Sequence, residues 1–218
     1  MYLEIRQQLD QADVTLVAVS KTKPNDQILE MYHKGQRIFG ENKAQELVDK
    51  YEALPNDIDW HFVGHLQRNK VKYIAPFVSL LHGVDSLRLL KEVNKQAQKH
   101  ERIIHCLLQF HIATETTKFG LDLQEAQGIL DSEEFKAMEN ISISGVMGMA
   151  TFTDDEHQVS NEFKRLKSIF NHLKAQYFSD DEGFKEISMG MSGDYQIAIE
   201  EGSTMVRIGT LLFGQRNY

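Results

Sequence analysis

The sequence has little cysteine and little proline: its 218 residues include one cysteine, Cys106, and three prolines. A single cysteine excludes an internal disulfide and a metal site built from several thiolates, and it fits a reducing compartment, so we expect a cytoplasmic protein. With so few prolines and no glycine- or serine-rich tract, the chain offers no segment typical of an interdomain linker. We therefore expect residues 1–218 to form a single domain.

Long apolar runs and an excess of positive charge are also missing. No stretch is long enough to cross a bilayer, and the first residues lack the apolar core of a secretory signal peptide. The formal net charge is −8. Surfaces that bind nucleic acids or anionic membranes need clustered lysine and arginine, so we expect neither partner. A phosphate bound here would have to be small and held locally by backbone N–H groups.

What the sequence does contain is an alternation of short apolar runs with longer amphipathic stretches. The apolar runs predict eight strands, at residues 14–20, 37–40, 60–64, 79–85, 103–112, 141–149, 186–192 and 205–213. The stretches between them predict helices; before the seventh strand, Val159, Phe163 and Leu166 fall at helical spacing. Strands that alternate with helices imply a parallel sheet, because parallel strands require crossover connections.

Eight such units in a chain of this length favour a closed α/β barrel, the (β/α)8 or TIM barrel. An open doubly wound sheet is the alternative, although no G-x-G-x-x-G motif follows any predicted strand. Active sites of barrels form at the carboxyl ends of the strands. The residues that this rule selects are Lys21, Asn42, His65, Asp85, Met149, Ser192 and residues 207–210.

Lys21 ends the first apolar run and is the candidate for amine chemistry. A lysine at the mouth of a buried strand has a desolvated stem, which favours the neutral, nucleophilic amine. The alternative is a lysine whose head group simply reaches water past the barrel rim. Lys23 is a competing amine, but Pro24 places it in the turn that leads to the next helix, so Lys21 is the better candidate.

Two short segments near the carboxyl end of the chain are candidate phosphate sites. Ser192 and Gly193 follow predicted strand seven and precede a helix, where free backbone N–H groups attract an anion. Gly209 and Thr210 lie late in predicted strand eight, where a missing Cβ lets the backbone approach a ligand. Phosphate sites after strands seven and eight recur in this fold. The alternative is an ordinary turn and a β-bulge.

Other polar residues at the predicted rim each have two interpretations. Arg207 stands two residues before Gly209, so we expect both on the barrel-facing side, with Arg207 bound to a ring nitrogen, a phosphate or a neighbouring carboxylate. Asn42 could offer its amide to a ligand or cap the helix that follows. His61 and His65 are four residues apart but flank the end of a strand, and we expect no metal site.

Six segments carry motifs that are highly specific together, although each alone is weak. They are AVSKTKP (18–24), FGENKAQE (39–46), WHFVGHLQRNK (60–70), GMATFTDD (148–155), MSGDYQIAI (191–199) and VRIGTLLFG (206–214). With these motifs the chain resembles the pyridoxal phosphate homeostasis protein family, which is related to the barrel domain of alanine racemases. The resemblance covers nearly the whole chain. It implies a barrel of the alanine racemase N-terminal-domain type that binds pyridoxal 5′-phosphate (PLP).

The resemblance also implies a role for individual residues. Lys21 would hold PLP as a Schiff base, the internal aldimine, and Arg207 would face the pyridine nitrogen. The residues expected around the phosphate are Ser192, Gly193, Gly209 and Thr210. The further cofactor contacts that we expect are Asn42, His65 and Met149.

For function, the resemblance implies intracellular homeostasis of PLP and of linked amino-acid and keto-acid pools, without established catalysis. The expected site agrees, because an arginine facing the ring nitrogen keeps it unprotonated and weakens the ring as an electron sink. Only GQRNY follows the last predicted strand, so we expect no second domain to supply a proton donor. We expect a monomer whose partners are PLP and PLP-dependent apo-enzymes that receive it.

Two other functions stay open at this point. One is a PLP-dependent amino-acid racemase or decarboxylase, and the other is an aldolase- or isomerase-like barrel that uses no PLP. The chain also departs from the family pattern at His111 and Ala113, where an asparagine and a glycine are usual, so we assign no role to this part of strand five. The N-terminal helix is shorter than usual for the family.

Overall fold

The fold is a closed barrel of parallel strands. The computed structural model describes residues 1–114 and 119–215, so parts of the strand-five segment and of the predicted tail lie outside the described residues. The strands, which pair in sequence order and close with the last on the first, are β1 Thr15–Val19, β2 Ile38–Glu41, β3 Asp59–Phe62, β4 Leu80–Val84, β5 Ile104–Phe110, β6 Ile141–Gly148, β7 Glu186–Met191 and β8 Met205–Ile208. The predicted (β/α)8 barrel is confirmed, and the open sheet is excluded.

Helices alternate with the strands. They are α1 Tyr2–Gln11, α2 Asn25–His33, α3 Ala44–Ala53, α4 Val71–Ile74, α5 Leu87–Lys99, α6 Leu123–Asp131, α7 Glu133–Lys136, α8 Glu156–Tyr177, α9 Tyr195–Glu200 and α10 Thr210–Phe213. A short 3-10 turn, Arg68–Lys70, leads into α4. Among the described residues, no helix combines the length and apolar character needed to cross a membrane.

The side chains of each strand alternate between two separate cores. In β3, for example, Trp60 and Phe62 belong to the larger core, which also contains the apolar faces of the helices. A smaller cluster collects Val17, Leu80, Leu107, Met147 and Met205. These five residues come from five different strands and can meet only inside the barrel. The alternation therefore decides which side chains face the barrel interior and which face the helices.

The eighth strand is shorter than the sequence predicts. It ends at Ile208, and residues 210–213 form the short helix α10. Gly209 has φ −122° and ψ −68°, which is not strand geometry. The prediction that Gly209 lies late in strand eight and shares the inner face with Arg207 is therefore wrong. A short apolar run such as TLLF does not by its pattern distinguish strand from helix, and here the helix forms.

Candidate functional site

The candidate residues gather at one end of the barrel. Because all strands are parallel, their carboxyl ends lie at the same rim. The residues that follow the strands at this rim are Lys21 after β1, Asn42 after β2, His65 after β3, Asp85 after β4, Met149 after β6, Ser192 and Gly193 after β7, and Gly209 and Thr210 after β8. Arg207 lies within β8. The structure thus brings the residues selected from the sequence to a single rim.

Hydrogen bonds fix the residues on both sides of Lys21, which lies in a turn. Ser20 is buried, and its Oγ donates to Oε1 of Glu41 at 2.6 Å. The backbone N–H of Thr22 donates to Oε1 of Glu46 at 2.6 Å. Thr22 has a φ of +66°, a left-handed conformation that is unfavourable for a β-branched residue. A turn that keeps this conformation is held by its surroundings, so Lys21 is presented from a fixed backbone.

Lys50 of α3 connects the two glutamates that accept hydrogen bonds from this turn, Glu41 of β2 and Glu46 of α3. Its Nζ donates to Oε1 of Glu41 at 2.7 Å, to Oε1 of Glu46 at 2.8 Å and to the carbonyl of Ser20 at 2.8 Å. Glu41 and Lys50 are buried, and burial raises the pKa of Glu41 while Lys50 opposes that shift. We call Glu41, Glu46 and Lys50 the Lys50 clamp. The clamp joins the turn of Lys21 to β2 and α3.

Lys23, the competing amine, has a structural task. Its Nζ donates to the carbonyls of Phe213, Gly214 and Gln215 at 2.8, 3.2 and 3.1 Å. These carbonyls lie at the end of α10, where the exposed acceptors of a helix favour a cation. Lys23 therefore tethers α10 to the turn after β1, and Lys21 is left as the candidate for amine chemistry.

Asn42 does not cap α3. Lys43 occupies the cap position, with no side-chain cap bond. The Oδ1 atom of Asn42 is buried and accepts no hydrogen bond from the described residues. An unpartnered buried carbonyl oxygen costs about 1–3 kcal/mol, so such an atom in a native structure calls for a partner. A hydrogen-bond donor on a ligand would be such a partner. The helix-cap interpretation of Asn42 is wrong.

The two predicted phosphate segments are in contact with each other. The N–H of Gly209 donates to Oγ of Ser192 at 3.3 Å. A Cβ atom built on Gly209 would lie 3.0 Å from the carbonyl oxygen of Val19, so the glycine lets this segment pack closely on β1. A Cβ on Gly193 would meet no atom within 4 Å. Gly209 thus has a packing reason to be glycine, whereas Gly193 has none within the protein itself.

Arg207 is buried inside the barrel, with 5% of its surface exposed. Its Nη1 donates to Oγ of Ser188 at 2.6 Å and its Nη2 to the carbonyl of Gly148 at 3.1 Å. Neither acceptor is a carboxylate. Burial lowers the pKa of Arg207 to about 10, opposed by Asp194, so the guanidinium stays charged at neutral pH. An arginine has five N–H donors, and these bonds leave donors for a ligand.

A line of polar side chains continues from Arg207 through the barrel interior. Nδ1 of His82 lies 2.9 Å from Oγ of Ser188, and Nε2 of His82 lies 3.0 Å from Nδ1 of His61. All three residues are buried. Burial lowers the pKa of His61 to about 4, opposed by Asp59, and lowers that of His82 well below its usual value. We call Ser188, His82 and His61 the histidine chain.

His65 and Met149 complete the rim. The His65 ring is about half exposed, stacks on Phe119 with ring centroids 4.8 Å apart, and places Nδ1 3.5 Å from Oδ2 of Asp85. Met149 packs against the cluster inside the barrel. His61 faces the interior while His65 lies on the rim. The described residues contain no group of three or more His, Cys, Asp or Glu side chains arranged to hold a metal ion.

Comparison with known proteins decides the family. The family model described as alanine racemase, N-terminal domain, matches residues 2–217. The pyridoxal phosphate homeostasis protein of Aquifex aeolicus is 38% identical over 204 residues, which cover 93% of this chain and 87% of that protein. The human protein of the same name is 40% identical over 215 residues, with 93% and 77% covered. The chain belongs to the pyridoxal phosphate homeostasis protein family. The resemblance inferred from the six motifs is confirmed.

Solved structures extend the likeness beyond this family. PipY of Synechococcus elongatus, at 32% identity and 98% coverage of both chains, superimposes with a TM-score of 0.89 without PLP and 0.86 with PLP bound. Alanine racemase of Clostridium difficile has a TM-score of 0.71 at 14% identity, which shows a common fold. The match covers 98% of this chain but 59% of the racemase. Members of the pyridoxal phosphate homeostasis protein family thus share a barrel with a larger enzyme.

The residues that hold the candidate site in place were not found from the sequence. They are Ser20, Glu41, Glu46, Lys50, His82 and Ser188. Glu46 and Lys50 have the i, i+4 spacing of a helical ion pair, which is a readable signal. Nothing in the sequence relates His82 to Ser188, which are 106 positions apart. Contacts of this kind form only when the barrel closes, so no local sequence pattern predicts them.

Proposed function

We propose that this chain binds PLP covalently through the amine of Lys21 and serves the intracellular homeostasis of PLP and of linked amino-acid and keto-acid pools. The observation that carries the proposal is the unmet hydrogen-bonding capacity at the rim. Asn42 has a buried Oδ1 without a donor, and Arg207 has N–H groups beyond those its two acceptors use. A planar ligand with a hydroxyl donor and a ring nitrogen acceptor would satisfy both.

The residues present fit PLP. When bound, PLP supplies an aldehyde that condenses with a primary amine, with loss of water, and a ring that withdraws electrons. Lys21 offers the amine from the turn that the Lys50 clamp holds. Arg207 would donate to the ring nitrogen, and because a guanidinium can only donate, that nitrogen would stay unprotonated and the ring would withdraw electrons less strongly. The site is thereby suited to holding PLP more than to driving a reaction with it.

The other proposed contacts surround this pair. Backbone N–H groups would hold the phosphate, and the bond between Gly209 and Ser192 keeps the two segments together. The residues proposed around the phosphate are Ser192, Gly193, Gly209 and Thr210. Oδ1 of Asn42 would accept from the ring hydroxyl, while His65 and Met149 would line the opening. With a net charge of −8, the chain must hold the phosphate by such local groups.

Chemical trapping tests the proposal. Purified protein is incubated with PLP, reduced with borohydride and digested, and the modified peptide is identified by mass spectrometry. We expect the label on Lys21, its loss in Lys21→Ala, and its retention in Lys43→Ala, which changes an exposed lysine next to Asn42. A label on Lys23, or an unchanged label in Lys21→Ala, would contradict the proposal. No binding at all would favour a barrel enzyme that works without PLP.

We further propose that the chain does not turn over amino acids. The relatives above are named homeostasis proteins, and the neutral acceptors of Arg207 leave its charge directed at the ring nitrogen. The α-proton signal of alanine, followed in deuterated water with the PLP-loaded protein, should decay no faster than with free PLP. A clearly faster decay would favour the racemase or decarboxylase alternative.

The proposed setting is a cytoplasmic, single-domain monomer that exchanges PLP with apo-enzymes. The thiol of Cys106 is buried, and burial raises its pKa to about 12, so it fits a structural role in a reducing compartment. Light scattering should give a molar mass close to the 25.1 kDa of one chain. Reactivation of a PLP-dependent apo-enzyme by the loaded protein, faster than by released PLP, would support hand-over.

A further inference from the structure

The hydrogen-bonding character of the histidine chain is fixed at the end that meets the candidate site. At the site end, Nη1 of Arg207 lies 2.6 Å from Oγ of Ser188, and a guanidinium can only donate. At the other end, Nε2 of His61 lies 4.0 Å from Oδ2 of Asp59, which is too long for a direct hydrogen bond. Asp59 is the first residue of β3, at the amino-terminal mouth of the barrel. The chain therefore runs from the site toward the opposite mouth.

Starting from Arg207, each hydrogen along the histidine chain has one consistent position. Ser188 Oγ accepts from Arg207, so its own hydrogen points to its other partner, Nδ1 of His82. The neutral His82 ring then carries its hydrogen on Nε2 and donates to Nδ1 of His61. His61 in turn carries its hydrogen on Nε2, toward Asp59. Reversing the Ser188–His82 or the His82–His61 hydrogen bond would leave the buried hydroxyl hydrogen of Ser188 without an acceptor among the described residues, which is costly.

We propose that Ser188 and His82 are positioning residues that hold Arg207 in the orientation in which its remaining N–H groups reach the ring nitrogen of PLP. With its hydrogen committed to His82, the Ser188 hydroxyl presents lone pairs to Arg207 and cannot rotate away. Both histidines are neutral and carry their hydrogen on Nε2. The tautomers hold with or without PLP, whereas the role toward the ring nitrogen rests on the proposed function.

The surroundings of the chain favour neutral rings. His82 has no exposed surface and lies between His61 of β3 and Ser188 of β7, beyond which stands the cation of Arg207. A second buried cation at His82 would be repelled by Arg207, and no carboxylate of the described residues is paired with His82. Of the three residues of the histidine chain, His61 alone has a carboxylate neighbour among the described residues, the partly exposed Asp59, while Asp194 acts on Arg207 itself. The geometry thus supplies neutral acceptors along the whole path behind Arg207.

The tautomers can be measured on the protein without PLP. Nitrogen-15 spectra at neutral pH should show, for both His61 and His82, a hydrogen on Nε2 and none on Nδ1. Signals are assigned by comparison with His61→Asn and His82→Asn. A hydrogen on Nδ1 of either ring, or a doubly protonated ring, would overturn the proposed chain.

The positioning role is tested by Ser188→Ala. We expect PLP binding to weaken about ten-fold or more, as when a hydrogen bond to a charged group is lost, and the pH dependence of the bound cofactor's absorption to change. The matched control is Ser144→Ala, because Ser144 Oγ pairs with Nδ1 of His105 at 3.0 Å and does not join the chain. The control should leave both affinity and absorption as in the wild type.

A second pair of variants separates orientation from packing. His82→Asn keeps an acceptor near the position of Nδ1, whereas His82→Leu removes it; we expect the wild-type absorption to be largely restored in the first and lost in the second. If Ser188→Ala and His82→Leu bind and absorb like the wild type, the positioning role is wrong even with the expected tautomers. If the wild type binds no PLP, the proposed function fails, and the nitrogen-15 spectra still decide the hydrogen-bond chain.

Discussion

Two polar networks support the candidate site, and they are built in opposite ways. The Lys50 clamp holds the turn of Lys21 with charged groups, and it lies on the helix side of the strands, since Glu41 shares its face of β2 with Phe39 of the larger core. The histidine chain holds Arg207 with neutral groups inside the barrel. One network is ionic and the other is not.

The difference follows from the task of each network, because only the interior network has to leave a charged group available to a ligand. The clamp reaches the surface through Glu46, whose side chain is 23% exposed, so part of its charge stays hydrated. Inside the barrel a carboxylate in place of the Ser188 hydroxyl would satisfy the charge of Arg207 and compete with a ligand. A hydroxyl and a carbonyl orient the guanidinium without neutralising it. The interior network therefore directs a positive charge, while the clamp only fixes a backbone.

Breaking the clamp should have the largest effect. Lys50→Met leaves the carboxylate of Glu41 buried without its cation, and such a loss typically costs about 3–5 kcal/mol of the free energy of unfolding. Urea unfolding measures this loss, and trapping by borohydride should show less label on Lys21. The control is Lys34→Met, which removes an exposed i, i+4 pair with Glu30 and should change stability little. Equal losses of unfolding free energy in Lys50→Met and Lys34→Met would show that the Lys50 clamp does not stabilise the fold.

The second largest effect is expected from low pH, which should destabilise the fold through the two buried histidines. Above pH 6.5 both histidines are neutral in the folded and the unfolded chain, so they contribute nothing. Below pH 6.5 both histidines bind protons in the unfolded protein but stay neutral in the folded protein. For His61 this difference persists until the pH falls to its folded-state pKa of about 4. The free energy of unfolding should therefore fall with decreasing pH, by about 1.4 kcal/mol per unit for each buried histidine.

Urea unfolding at pH 7, 6 and 5 measures this slope, and a variant isolates the contribution of the chain. His61→Asn removes one of the two titrating groups, so its slope below about pH 6.5 should be smaller by about 1.4 kcal/mol per unit. The control is His100→Asn, because His100 is exposed and does not belong to the histidine chain. Identical slopes in wild type and His61→Asn would mean that His61 is not held neutral.

The variant Asn42→Ala tests whether Asn42 contributes to ligand binding and not to the stability of the fold. Oδ1 of Asn42 has no donor in the described structure, so Asn42→Ala should lower the free energy of unfolding without PLP by no more than about 1 kcal/mol. The same variant should weaken PLP binding about ten-fold. Asn69→Ala, an exposed change nearby on the 3-10 turn, is the control for binding. A large loss of stability without PLP would assign Asn42 to the fold instead.

The barrel and its rim could be predicted because both depend on local patterns and one general rule. Apolar runs located all eight strands, and the common direction of parallel strands placed Lys21, Asn42 and Ser192 on one rim. The error at strand eight has a local cause too. TLLF is apolar enough for a strand, and only the backbone geometry of Gly209 ends the strand at Ile208.

The two networks could not be predicted, because they depend on which faces meet after closure. The pairing of Glu46 with Lys50 is local, but the reach of Lys50 Nζ to the carbonyl of Ser20 is not. In the sequence, His82 is a single polar residue within the apolar run 79–85. Its importance appears only when β4 and β7 face each other across the barrel and bring it to Ser188. Long-range polar contacts are therefore the part of this site that needs a structure.

The smallest effect is expected from the glycines of the two phosphate segments, which the structure distinguishes. A Cβ on Gly209 would lie 3.0 Å from the carbonyl oxygen of Val19, so Gly209→Ala should cost about 1 kcal/mol of the free energy of unfolding through a small shift of α10 against β1. A Cβ on Gly193 meets nothing within 4 Å, so Gly193→Ala should leave folding unchanged. Both should weaken PLP binding if backbone N–H groups of both segments hold the phosphate. Thermal unfolding without PLP and titration with PLP separate the two effects, and a Gly193→Ala variant that binds PLP normally would limit the phosphate site to the segment at Gly209.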